Sequence, residues 1–232
     1  MRVLAIDCAS TSASVALLDD ETVLGESFTN VKLTHSQTLL PMVEDVFSHT
    51  QTSMQSIDAI AVTVGPGSFT GVRIGVAAVK GMADALHIPC YAISSLEAAA
   101  FPFKDFDGTI CAVMDARRDQ VYTASFQNGV QILEDAAMSV DELQAKLQPH
   151  LEKPILLVGD GAVKVKSAFE NAEGNFRLSH PQFRYVHASS VAYLAKQKQE
   201  HGDVGVESKQ LMPLYLRLPQ AQRELNNKLK KN

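Results

Sequence analysis

Residues 60–75 read "IAVTVGPGSFTGVRIG": an apolar run that breaks at Gly65, Pro66 and Gly67 and resumes with the spacing of a helix. Residues 155–162, "ILLVGDGA", repeat the plan of apolar strand, Gly-x-Gly and helix. The same order of elements precedes each stretch. In the first half, Val3 to Ile6 is a short apolar strand ending at Asp7. Ser12 to Leu18 and Thr22 to Phe28 continue as a meander around the polar turn Asp19-Asp20. Leu39, Leu40, Val43, Val46 and Phe47 then recur at helical spacing over Ser36 to Phe47, before the strand Ala59 to Val64. In the second half, Thr109 to Met114 ends at Asp115, and Val121 to Phe126 and Val130 to Leu133 form the meander. Asp141 to Leu147 is the helix and Ile155 to Val158 the strand.

Two halves with one order of elements imply a duplicated α/β unit. The segment "FPFKDFDG" (101–108) mixes Pro, Asp and Gly as a boundary does. The expected division is an N-terminal lobe over 1–103 and a C-terminal lobe over 104–217 that ends in the helix Val191 to Lys198. A polar tail over 218–232 carries Arg223, Lys228, Lys230 and Lys231 against Glu224. A solvated tail is the simpler reading, and RNA contact the alternative.

The 232 residues suffice for one large core or two small ones, and 46% hydrophobic with 20% charged residues describes an ordinary globular protein. A formal net charge of −5 argues against a stand-alone nucleic-acid binder, which needs a surplus of Lys and Arg. Cys8, Cys90 and Cys111 are odd in number and lie in apolar runs, as buried reduced thiols do. The N-terminus enters a strand directly, unlike a signal peptide, and no apolar run approaches the ~20 residues of a membrane span. A cytoplasmic protein is expected.

Spacing tests the glycine stretch against known chemistries. A Walker loop needs a Lys that does not follow Gly71, and the dinucleotide pattern needs a glycine where Thr70 sits. A nucleophile elbow at Ser68 needs glycines where Pro66 and Thr70 stand. What remains is a turn that launches a helix over Val72 to Leu86, capped by Ser68 or Thr70. Gly71, Gly75, Ala77, Ala78, Gly81 and Ala85 keep one side of that helix nearly bare. Each interior Gly costs about 1 kcal/mol, so something approaches closely: the chain's own sheet or another subunit.

No two of the seven histidines stand three or four residues apart, and Leu39 follows His35 by one turn, so no metal pair is expected. Asp7 and Asp115 end buried strands, where open α/β sheets bind ligands; each is either a turn cap or a ligand-facing acid.

Several stretches together resemble the TsaB (YeaZ) family of tRNA threonylcarbamoyladenosine biosynthesis proteins. They are "LAIDCASTSASVALL", "HSQTLLPMV", "VTVGPGSFTGVRIGVAAVKGMA", "ISSLEAAA", "MDARRDQVYTASF", "GDGA" and "MPLYLR". The resemblance implies an actin-like, sugar-kinase-like (ASKHA) α/β fold of two related lobes with ATP between them. The corresponding nucleotide positions are Asp7, Ser10, Thr11, Gly159 and Gly161. Yet neither Asp7-Cys8-Ala9-Ser10-Thr11 nor Asp115-Ala116-Arg117-Arg118 has the glycine of a phosphate turn, and Cys8 and Ala9 depart from the family's usual Thr and Ser. The family is similar to TsaD, which transfers threonylcarbamoyl to N6 of the tRNA adenosine 3′ of the anticodon. TsaD holds its metal with a His-x-x-x-His pair, of which only His35 is present here.

The implied role is a non-catalytic accessory subunit that pairs with TsaD, is joined by the ATPase TsaE, meets tRNA through the complex, and homodimerises when alone. Its pairing surface would be Leu39, Val43, Phe47, Gly71, Gly75, Ala78, Val79 and Met82, on the first two helices. No cofactor is expected in the isolated chain, and ATP belongs, if anywhere, to the complex. The alternative is a nucleotide-dependent kinase or ATPase using Asp7 or Asp115 to hold Mg²⁺. A protease has neither a metal pair nor an elbow to support it.

Overall fold

The computed structural model describes residues 1–31 and 33–217; the basic tail lies outside them. The first half forms β1 (Arg2–Asp7), β2 (Ala13–Asp19), β3 (Thr22–Thr29), α1 (His35–Thr50), β4 (Ala59–Gly65), α2 (Phe69–Leu86), β5 (Cys90–Ser94) and α3 (Ser95–Ala100). The second half forms β6 (Thr109–Asp115), β7 (Gln120–Gln127), β8 (Val130–Ser139), α4 (Val140–Leu147), β9 (Ile155–Val158), α5 (Ala162–Ala168), β10 (Phe176–Leu178) and α6 (Ala188–Glu200).

The two sheets run β3-β2-β1-β4-β5 and β8-β7-β6-β9-β10, one order used twice. In each, the first strand pairs antiparallel with the second and parallel with the fourth: Ile6 faces Val15 and Val62, and Ala112 faces Ala124 and Val158. This is the duplicated α/β architecture that the sequence predicts.

Strand periodicity builds the core. In β6 and β9, Cys111, Val113, Ile155 and Leu157 join Leu143 and Leu147 of α4 and Val165 of α5 in one cluster. The alternate residues Ile110, Ala112, Met114, Leu156 and Val158 face the other way, into a larger core continuous with the first sheet. All of β4 is buried, as a strand covered on both faces must be. Strand β3 alternates exposed and half-buried residues along an edge.

Three expectations need correction. Helix α6 follows the second sheet in sequence yet packs on β1, β2, β4 and β5 of the first, burying Val191, Ala192 and Ala195. Residues 104–217 therefore serve both sheets. Strand β8 does not stop at Leu133: Glu134 and Asp135 look like turn residues, but the strand runs on to Ser139, with Ala136 opposite Thr123 across register shifts. Helix α2 starts at Phe69, because Ser68 is its cap and accepts the Gly71 N–H at 3.2 Å. Ser94 likewise caps α3, accepting from the N–H groups of Leu96 and Glu97, and donates its hydroxyl to Asp135 of β8 at 2.5 Å.

All three cysteines are free and buried. Among the described residues no helix is long and apolar enough to cross a membrane.

Candidate functional site

Where the carboxyl ends of β1, β4, β6 and β9 meet, a cleft of about 340 Å³ opens between the sheets. It is lined by the turns after β1 (Ala9, Ser10, Thr11), β4 (Pro66 to Thr70) and β6 (Met114 to Arg117), by Asp160 after β9, and by the segment 214–217.

The glycines of both halves explain how these turns come together. A Cβ on Gly67 would stand 2.1 Å from the Ala9 carbonyl oxygen, and one on Gly71 2.1 Å from that of Cys8. The Ser68 N–H donates to Ala9 O at 2.7 Å. Gly159 repeats the arrangement, 2.2 Å from the Val113 oxygen, and the Gly161 N–H donates to that oxygen at 3.0 Å. Each Gly-x-Gly turn is thus folded onto the end of its sheet's first strand.

Asp7 and Asp115 occupy equivalent places but different surroundings. Asp7 is fully buried. Its Oδ1 accepts from the Thr63 hydroxyl at 2.6 Å and the Ala9 N–H at 3.2 Å, while Oδ2 is buried without a partner among the described residues. Burial pushes its carboxyl up to about 7, and the charge of Asp160 adds to this against the opposing Thr63 and Ala9 bonds and His187. Asp115 is exposed: its Oδ1 accepts the Arg117 N–H at 3.0 Å and lies 3.4 Å from Lys164 Nζ. Asp160, absent from the sequence expectation, accepts the Asp115 N–H at 3.0 Å. Burial, with the charge of Asp115, pushes it up to about 6.

Of the expected nucleotide residues, Ser10 and Thr11 line the cleft, Asp7 lies buried beneath it, and Gly159 and Gly161 pack on β6. Phosphate recognition at such turns needs free backbone N–H groups. Here the Ala9 N–H is bonded to Asp7, that of Ser12 to Ser10 Oγ, that of Arg117 to Asp115 and that of Asp115 to Asp160. These four N–H groups are committed within the turns themselves. Among the described residues no three His, Cys, Asp or Glu side chains come together as metal ligands. His35, the single histidine of the helix expected to pair, is tied through Nε2 to the Ser10 carbonyl at 2.9 Å.

The expected pairing surface also needs correction. Leu39, Val43, Phe47, Gly71, Gly75 and Val79 are buried in the chain's own core. Gly75 faces Cys8 and Val62, so the close approach at Gly71 and Gly75 is to the chain's own sheet. Ala78 and Met82 are half-buried, whereas Ala77, Gly81 and Ala85 are exposed, with nothing within 4 Å of a Cβ built on Gly81. The bare side seen in the sequence is therefore two faces. Its glycine-rich start meets the sheet, and Ala77, Gly81 and Ala85 face outward; on α1, Leu40 is 52% exposed.

The segment 214–217 forms a wall of the cleft. Leu214 N–H donates to Val64 O at 2.7 Å, Arg217 Nη1 to Ala116 O at 2.7 Å, and Arg73 Nε to the Tyr215 hydroxyl at 2.6 Å. Arg73 also lies over the Phe69 ring, 3.8 Å from its centroid. The segment thereby bridges both sheets.

The comparisons with known proteins follow the same lines. Over 226 residues, 96% of each chain, the sequence is 35% identical to the tRNA threonylcarbamoyladenosine biosynthesis protein TsaB of Bacillus subtilis. The chain belongs to the TsaB (YeaZ) family. The solved structure of YeaZ from Pseudomonas aeruginosa, 30% identical, superposes with a TM-score of 0.77 over 93% of this chain and 99% of that one. The family model described as "TsaD: tRNA N6-adenosine threonylcarbamoyltransferase" matches residues 22–225, which relates this chain to that transferase. Component A of (R)-2-hydroxyglutaryl-CoA dehydratase from Acidaminococcus fermentans, 13% identical with a TM-score of 0.54 over 86% of this chain and 99% of that one, shares the fold.

Proposed function

We propose that this TsaB-family chain serves threonylcarbamoyladenosine formation in tRNA as a non-catalytic subunit that pairs with TsaD and supports transfer to N6 of the adenosine. The observation that carries the reading is the commitment of the acid and base positions to the chain's own structure. Asp7 is fully buried against Thr63, and His35 is held by the Ser10 carbonyl. Family membership supports the pathway, and the kinship with the transferase is what favours it as the partner.

The pairing surface is the outward side of α1 and α2, with Leu40, Ala77, Gly81 and Ala85 as its accessible small or apolar residues. TsaE, the ATP it brings and the tRNA enter through that complex, and the same surface joins two copies when the chain is alone.

Ala77→Arg and Gly81→Arg leave the core untouched and should weaken co-purification with TsaD by about tenfold or more, as a bulky charge at the centre of an interface does. Gly75→Leu is the wrong probe, because it strikes Cys8 and Val62. Undiminished pairing by both arginine variants would sink this surface. Reconstituted tRNA modification, read by nucleoside mass spectrometry, should lose product when the chain is omitted. Calorimetric titration with Mg-ATP separates the rival: tight binding with turnover by the isolated chain would make it a kinase or ATPase.

A further inference from the structure

His187 stands at the joint where the second half of the chain returns to the first sheet. It is the N-cap of α6, and both of its ring nitrogens face acceptors. Nδ1 lies 3.4 Å from Glu26 Oε2 on β3, and Nε2 lies 3.3 Å from the Gln182 carbonyl. A neutral imidazole has one N–H and satisfies one of these; the imidazolium has two and satisfies both. Its ring stacks on Phe28 of the same strand, with centroids 4.9 Å apart and planes 14° apart, and Phe183 packs on it at 6.2 Å. An aromatic face also favours the cation.

Glu26 completes the arrangement by accepting the Ser189 N–H at 3.0 Å and the Ser189 hydroxyl at 3.1 Å, so one carboxylate caps the first turn of α6 and faces the imidazolium. We propose that His187 is a proton-operated clamp: protonated, it ties the 181–183 turn and the start of α6 to the edge strand β3, and losing the proton releases one tie.

The titratable groups acting on the ring are Glu26 from β3 and, once it loses its proton near 7, Asp7 from β1; the 181–183 turn contributes a carbonyl. The Glu26 bond raises His187 above its ordinary 6.5, against an opposing effect of burial. A raised base contributes its stability fully below the ordinary value and loses it as the pH climbs through the raised one. Burial pushes Glu26 up, but its His187 and Ser189 bonds outweigh this and hold it below its ordinary value. The clamp is therefore closed at mildly acidic pH and opens on the alkaline side of 6.5.

Side-chain NMR titration of the histidines, with His187 assigned by His187→Asn, tests this. The wild-type midpoint should lie above 6.5. Glu26→Gln, which keeps an acceptor for Ser189, should lower the proton affinity about threefold to tenfold, the equivalent of roughly half to one unit. Amide exchange in the first turn of α6, corrected for its intrinsic pH dependence, should show more opening above the His187 midpoint than below it. A wild-type midpoint at or below 6.5 overturns the clamp, as does a midpoint unmoved by Glu26→Gln or an opening blind to the charge. Should Glu26→Gln fail to fold, the wild-type titration and exchange decide alone.

Discussion

Gly67→Ala and Gly71→Ala are each expected to lower the free energy of unfolding by about 3 kcal/mol or more, the upper part of the range for overpacked cores, as read from urea denaturation midpoints. At Gly71 two effects compete. Replacing a helical glycine by alanine gains about 1 kcal/mol of helix propensity. The new methyl, however, would stand 2.1 Å from the Cys8 carbonyl oxygen and 2.9 Å from His35 Cδ2. A backbone oxygen directly after β1 cannot swing aside as the end of a flexible side chain can, so the clash wins. Gly81→Ala is the control, since the same helix offers the added methyl open space; it should stabilise by about 1 kcal/mol. Equal effects at positions 71 and 81 would refute the account of the glycine stretch as a clasp on β1.

Asp7→Asn is expected to stabilise the protein by up to about 4 kcal/mol at pH 8 and to leave it nearly unchanged at pH 4. In the unfolded chain the carboxyl titrates at its ordinary 3.8, whereas in the fold burial pushes it up to about 7. The folded state then holds the proton more tightly, and stability falls as the pH rises from 3.8 through 7, by about 1.4 kcal/mol for each unit of difference. The side chain is fully buried, so solvent screening does not shrink this much. Asparagine keeps an Oδ1 for the Thr63 hydroxyl and the Ala9 N–H and introduces no charge. Urea denaturation of both proteins at half-unit pH steps should show a steeper fall between 4 and 7 in the wild type than in the variant, which keeps only the share of Asp160 and other groups; parallel curves would dispose of the idea.

The duplicated order of strands was legible because it rests on local patterns. Apolar runs end in Asp at 7 and 115, and Gly-x-Gly turns follow apolar strands at 65–67 and 159–161. What those glycines approach was not legible. Gly71 and Gly81 read identically in a helical pattern, and only the fold puts Cys8 O against one and leaves the other open. For the same reason, Leu39 and Val43 read as surface positions although they face the core: apolar residues at helical spacing turn toward the nearest sheet. Asp160 and Tyr215 enter the cleft by chain crossings that no local spacing encodes. His187 meets Glu26 across 161 positions, a separation at which a single sequence carries no signal.

The return of α6 to the first sheet has a consequence for the order of events during synthesis. Strands β1, β4 and β5 are complete early, but the helix that covers their inner face is made only when residues 188–200 emerge. Until then the sheet, already packed by α1 and α2, lacks the helix that buries Val191, Ala192 and Ala195 against it, and the apolar surface left bare invites aggregation or chaperone capture. The amino-terminal lobe is accordingly the first part of the molecule to be translated and among the last to be finished.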